Sequence, residues 1–146
     1  MHATEVRAQL LAQHERIREQ LEICQGLAAL QRSGREVTGE LDDALGQLRS
    51  ELAEHNNAET AAIQQLLHGP AAWGSLLVDR MFEEHVAEHA AIWEMLSGTH
   101  GEIAGRIGDL AEELDAHMAA EERTFLSPMT LRDDVLRART KEDPVG

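Results

Sequence analysis

Residues 52–63 read LAEHNNAETAAI, and the spacing within that stretch decides the fold. Leu52, His55, Glu59 and Ile63 are separated by steps of three and four, so they share one face of an α-helix. The same face continues backwards through Leu48, Leu45 and Leu41 and forwards to Leu66. A leucine seam of this kind faces a core, yet its middle carries an imidazole and a carboxylate. Two other stretches repeat the pattern. FEEHVAEHAAIW at 82–93 sets His85 and His89 four apart, and DAHMAAEERTFLSP at 115–128 does the same with His117 and Glu121. A lone His14 sits in the stripe of AQHERIREQL at 12–21.

Outward from these stretches the chain divides into four amphipathic segments. The first runs from near Thr4 to about residue 31 with Leu10, His14, Ile17, Leu21, Cys24 and Ala28 on one stripe, and RSGREVTG interrupts it. The second begins near Thr38 and stops at His68-Gly69-Pro70, where proline cannot continue the helical ladder. The third starts between Ala71 and Ser75, carries Val78, Met81 or Phe82, His85, His89, Ile92 and Leu96, and closes at Ser97-Gly98. Thr99 with Glu102 three residues later is a capping-box pattern for the fourth. Its stripe reads Ile103, Ile107, Leu110, Leu114, His117, Glu121 and Phe125 until Ser127-Pro128.

Long helices with short connections predict an all-α, up-down-up-down antiparallel four-helix bundle over residues 1–128. Residues 129–146 form a tail in which Thr130 and Asp133 cap one short helix. Reflecting the chain about each connection brings His14, His55, the His85/His89 pair and His117 to one level. The mismatches are roughly 1 to 6 Å at the helical rise per residue.

Composition agrees and narrows the function. The 146 residues suit one domain, and there are no Tyr and only three Pro. A net charge of -14 argues against nucleic acid or an anionic membrane as partner. Cys24 is the sole cysteine, which excludes an internal disulfide and a cysteine-rich zinc site. No basic segment followed by an apolar run opens the chain, and no stretch of about eighteen apolar residues occurs. The expectation is a soluble, cytoplasmic protein.

A single stripe histidine is most simply a core imidazole with one hydrogen bond. Two carboxylates among five imidazoles are harder to accommodate, since desolvating an unpaired carboxylate costs several kcal/mol. Cations account for all seven residues together: His14, His55, Glu59, His85, His89, His117 and Glu121. Imidazole with carboxylate suits iron, manganese or zinc, and not an all-oxygen magnesium or calcium site. Two octahedral ions bridged by both carboxylates and one oxygen, with five histidines, leave one position open. If only one of His85 and His89 binds, two stay open. Glu121 lies on the stripe 114, 117, 121, whereas Glu122 is rotated by about 100° toward the edge. His2, His68 and His100 fall at a terminus, a helix end and a connection.

The order and spacing of these motifs over residues 8 to 128 resemble the hemerythrin-like family, the HHE cation-binding domains. The resemblance implies a non-haem di-iron centre with an oxo or hydroxo bridge, manganese or zinc being less favoured alternatives. It makes the five histidines nitrogen ligands and Glu59 and Glu121 bridging carboxylates. The oxygen-carrying branch has Asp five residues after the last histidine, whereas this chain has Glu four and Glu five after it, as in bacterial and regulatory members.

The leading expectation is a protein that binds O2 or a related small oxidant, peroxide or NO, for sensing, storage or detoxification, with Trp93 walling the ligand pocket. Alternatives are an enzyme that decomposes peroxide or reduces NO, or a metal-dependent interaction or iron-sensing module whose tail around Leu131, Val135 and Leu136 docks a protein partner. A ferritin-like reading needs Glu-x-x-His pairs, and no histidine here has Glu three residues before it.

Overall fold

The computed structural model describes the backbone of residues 3–67, 75–123 and 126, and the side chains of 4–62, 83–123 and 126. Among these the chain is all-helical: α1 (Ala3–Arg32), α2 (Thr38–Leu67), α3 (Ser75–Met95), α4 (His100–Gly105) and α5 (Ile107–Arg123). The stop expected at Pro70, the stripe position Phe125 and the whole tail lie outside the described residues, as do the side chains of Ile63, Leu66, Val78, Met81 and Phe82. So do His2 and His68.

Each stripe buries the residues its spacing selects. On α1 these are Leu10, His14, Ile17, Leu21, Cys24 and Ala28, and on α2 they are Leu41, Leu45, Leu48, Leu52, His55 and Glu59. Helix α1 packs against α2 and α5, α2 against α3, and α3 against α5, while α4 meets α1 and α2. One apolar cluster results, with Leu45, Leu48, Ile103 and Leu110 fully buried at its centre. No helix among the described residues is long and apolar enough to cross a membrane.

Local chemistry sets the helix ends. After α1 the chain turns at Gly34, whose φ of 99° lies in the left-handed region. Arg35 N–H reaches back to the Leu30 carbonyl at 3.1 Å, the long hydrogen bond of a glycine-terminated helix. Gly98, with φ 97°, closes α3 in the same region, and a Cβ there would meet Glu102 Oε2 at 3.0 Å. Thr99 then caps α4, its hydroxyl accepting from Glu102 N–H at 3.2 Å and donating to Glu102 Oε1 at 3.0 Å.

The fourth segment differs from expectation in one respect. A single helix from Thr99 onward is instead two, α4 and α5, broken at Arg106 with φ -117° and ψ 17°. The Arg106 N–H is drawn to the Ile103 and Ala104 carbonyls, and its guanidinium donates to the Ser97 carbonyl across the turn. Gly101, Gly105 and Gly108 weaken the helix at this place. The ladder resumes with Leu110 N–H to the Arg106 carbonyl at 3.0 Å, so the buried stripe carries on through the break.

Candidate metal centre

Four helices deliver the polar residues to one level. His14 from α1, His55 and Glu59 from α2, His85 from α3, and His117 and Glu121 from α5 are all buried, with the His89 side chain 12% exposed. Each pair at i and i+4 lies on a core-facing stripe, so helix geometry alone aims the side chains inward.

The cluster has two halves joined by the carboxylates. In one half His14 Nε2 is 3.1 Å from His55 Nε2, Glu121 Oε1 lies 3.0 Å from His14 Nε2, and Glu59 Oε2 lies 3.2 Å from His55 Nε2. In the other, His89 Nε2 is 2.9 Å from His117 Nε2, Glu59 Oε1 lies 3.3 Å from His89 Nε2, and Glu121 Oε2 lies 3.3 Å from His117 Nε2. Each carboxylate therefore turns one oxygen toward each half. Two overlapping groups, His14/His55/Glu59/Glu121 and Glu59/His89/His117/Glu121, each bring four donor atoms within 4.8 Å of one another.

Of the seven residues singled out from sequence, six fall in these groups. His85 stands beside them: its ring is tilted against His89 at 4.0 Å between centroids, and its Nδ1 is 3.5 Å from Glu59 Oε1. His100 is elsewhere, at the start of α4, paired with Asp42 of α2. Trp93 lines a small cavity beside the centre.

Three further residues form an outer ring around the imidazoles. His14 Nδ1–H donates to Glu122 Oε2 at 2.7 Å, and Arg18 Nη2 holds the same oxygen at 2.9 Å. His55 Nδ1–H donates to Gln13 Oε1 at 2.7 Å, and His117 Nδ1–H donates to Glu88 Oε2. A carboxylate or amide oxygen only accepts, so each of these rings carries its proton on Nδ1 and turns a bare Nε2 inward. Gln13 and Glu88 were not among the candidates from sequence. Each directly precedes a stripe histidine but serves a histidine on another helix, so spacing along the chain holds no sign of the pairing. Glu122 was weighed only as a rival to Glu121; it lies outside the cluster.

Electrostatics favour the deprotonated form of His14, His85, His117 and Glu59. Burial lowers the pKa of His14, although its hydrogen bond to Glu122 opposes this. Burial, reinforced by His89 alongside, lowers His85 to about 4, and burial is also the chief cause of a lowered value at His117. For Glu59 burial pushes upward, but the imidazoles of His55 and His89 outweigh it and hold the carboxyl below its usual range.

The fit to a cation follows from these contacts. The bare Nε2 lone pairs of His14 and His55 face each other at 3.1 Å, and those of His14, His55 and His117 face carboxylate oxygens at 3.0 to 3.3 Å, which is repulsive with nothing positive between them. Glu59, with no exposed surface, has both oxygens without a hydrogen bond, since the nearby imidazole nitrogens lack its geometry. A buried carboxylate in that condition is costly. Among the described ion pairs, Glu59 and Glu121 meet only imidazoles, and Arg18 is engaged by Glu15 and Glu122. The donor set is therefore one that can hold a metal cation.

An all-helical chain that turns two imidazole pairs and two shared carboxylates onto one buried point defines a class, the cation-binding helical proteins. Within that class the chain belongs to the hemerythrin family: the hemerythrin HHE cation binding domain model matches residues 6–127. Neither among curated proteins nor among solved structures is there a match to the chain.

Proposed function

We propose that the protein holds two non-haem iron ions and binds O2 or a related small oxidant, peroxide or NO, for sensing, storage or detoxification. The observation that carries this reading is the sharing of the carboxylates. Glu59 and Glu121 each offer one oxygen to the His14/His55 half and the other to the His89/His117 half, as bridging carboxylates between two ions do. One ion would take His14 and His55, the other His89 and His117 with His85 as a third nitrogen, and an oxo or hydroxo bridge would join them. Manganese and zinc are compatible with the same donors and less favoured. Residues 1–128 would then act as an up-down-up-down antiparallel four-helix bundle, with α4 and α5 together as its fourth arm. Residues 129–146 would form a tail open to a protein partner.

When bound, the iron pair supplies electrons and an open position for a small molecule. The chain supplies the rest. Glu122, Gln13 and Glu88 keep the imidazole protons on the outer nitrogens, which holds Nε2 ready as a donor. The five apolar walls Ile17, Leu52, Ile92, Leu114 and Met118 keep bulk water from a cavity bounded by His55, His89 and His117. At about 10 Å³ the cavity has room for a guest about the size of water and excludes organic substrates.

Anaerobic loading with iron(II) followed by air tests the reading. About two irons per chain and a new visible charge-transfer band on exposure to air are expected. A chain that retains no iron, or one whose spectrum is unchanged by O2, peroxide and NO alike, would refute it.

A further inference from the structure

We infer that Asn56 makes the cavity beside the iron site selective for a guest that brings its own hydrogen, such as hydrogen peroxide, over the hydrogen-free gases O2 and NO. The inference rests on the function proposed above and names the ligand class within it. Asn56 follows His55 on α2 and lines the same cavity. Its Oδ1 is buried and has no hydrogen-bond partner. The amide is half-buried as a whole, and with Trp93 and His89 it forms the part of the described lining that keeps some exposure. The orphaned oxygen thus belongs to a residue of the cavity lining.

What can satisfy that oxygen is limited by its neighbours. The Nδ1 protons of His55 and His117 are already given to Gln13 and Glu88, His89 makes no hydrogen bond to the amide oxygen, and apart from Trp93 the remaining walls are aliphatic or thioether. Trp93 shares the lining, yet its indole N–H does not reach the amide oxygen, which stays unpaired. A donor must therefore arrive with the guest. Hydrogen peroxide carries two O–H groups and is compact. O2 and NO carry none, so either would leave Oδ1 unpaired and would displace any water that served it. Discrimination of this sort is strong because a site built for a donor rejects the analogue that lacks one.

The test compares wild type with Asn56→Leu, which keeps the volume and removes the acceptor, and Asn56→Asp, which keeps the oxygen. Peroxide affinity is read by calorimetry on the zinc-loaded, redox-silent full chain, and NO affinity by optical titration of the iron(II)-loaded chain. Asn56→Leu should weaken peroxide by about tenfold, the effect of one lost hydrogen bond, and leave NO within about twofold. Asn56→Asp should hold peroxide near wild type, and should do so even if the leucine variant fails to fold. A crystal structure should place an ordered water or peroxide on Oδ1 in wild type. Unchanged peroxide affinity in the leucine variant, or equal weakening of peroxide and NO, would overturn the inference while leaving the iron site intact. Absence of bound metal and of any ligand response in wild type would remove both readings.

Discussion

The apolar layer around Leu45, Leu48, Ile103 and Leu110 and the polar layer around Glu59 and Glu121 belong to the same four stripes but are stabilised by opposite means. In the first, burial is favourable in itself, because each leucine leaves water for close-packed neighbours. In the second, seven titratable groups are desolvated, and the bare Nε2 atoms of His14, His55 and His117 converge on carboxylate oxygens. The first layer holds the helices; the second draws on that stability and returns it only when a cation arrives. Folding strength and binding strength are thus lodged at different heights of one core.

Four substitutions or conditions would break or sharpen this contrast. The largest effect belongs to the apolar layer. Leu48→Ala should cost about 2–5 kcal/mol in denaturant unfolding, equally in metal-free and metal-loaded protein, with the metal content per folded chain unchanged. A loss of metal in step with stability would show that the two layers are not separable. Next comes Glu59→Leu. Removing the buried carboxylate should abolish retention of both ions, measured by metal analysis after gel filtration, while leaving the stability of the metal-free protein unchanged or higher. A destabilised metal-free variant would mean that the carboxylate is better satisfied than its contacts indicate.

Smaller effects are expected in the outer ring and from pH. Glu88→Ala frees the His117 ring and should weaken metal binding by about 10–100-fold in chelator competition, with little change in metal-free melting. Acid should erode the polar layer before the apolar one. His85 falls from 6.5 unfolded to about 4 folded, so the unfolded chain binds the extra proton first. The metal-free protein should therefore lose stability as pH drops from about 6.5 toward 4 and gain nothing further above it. Replacing His85 by Gln should flatten that part of the profile, and an unchanged profile would assign the titration to another group.

Most of the helical framework was legible because its code is local. Leu41, Leu45, Leu48, Leu52, His55 and Glu59 share a face whatever surrounds them, and the turn at Gly34 and the cap at Thr99 depend only on near neighbours. The choice of Glu121 over Glu122 for the buried face is likewise a matter of one residue's rotation about a helix axis. The break at Arg106 was not legible, since it depends on a guanidinium reaching the Ser97 carbonyl across a turn. The roles of Gln13 and Glu88 were not legible either. Each is adjacent in sequence to one histidine and bonded in space to another, and from spacing alone each resembles the solvated side of its helix.

The chain by itself determined that helices form, which faces they bury, and that imidazoles and carboxylates lie on those faces, because helical periodicity is set by backbone geometry within a few residues. Only the tertiary structure decided how the oxygens of Glu59 and Glu121 divide between two histidine pairs, which nitrogen of His14, His55 and His117 keeps the proton, and which amide oxygen is left without a partner. Those outcomes depend on distances between side chains from different helices, and such distances exist only after the helices have packed.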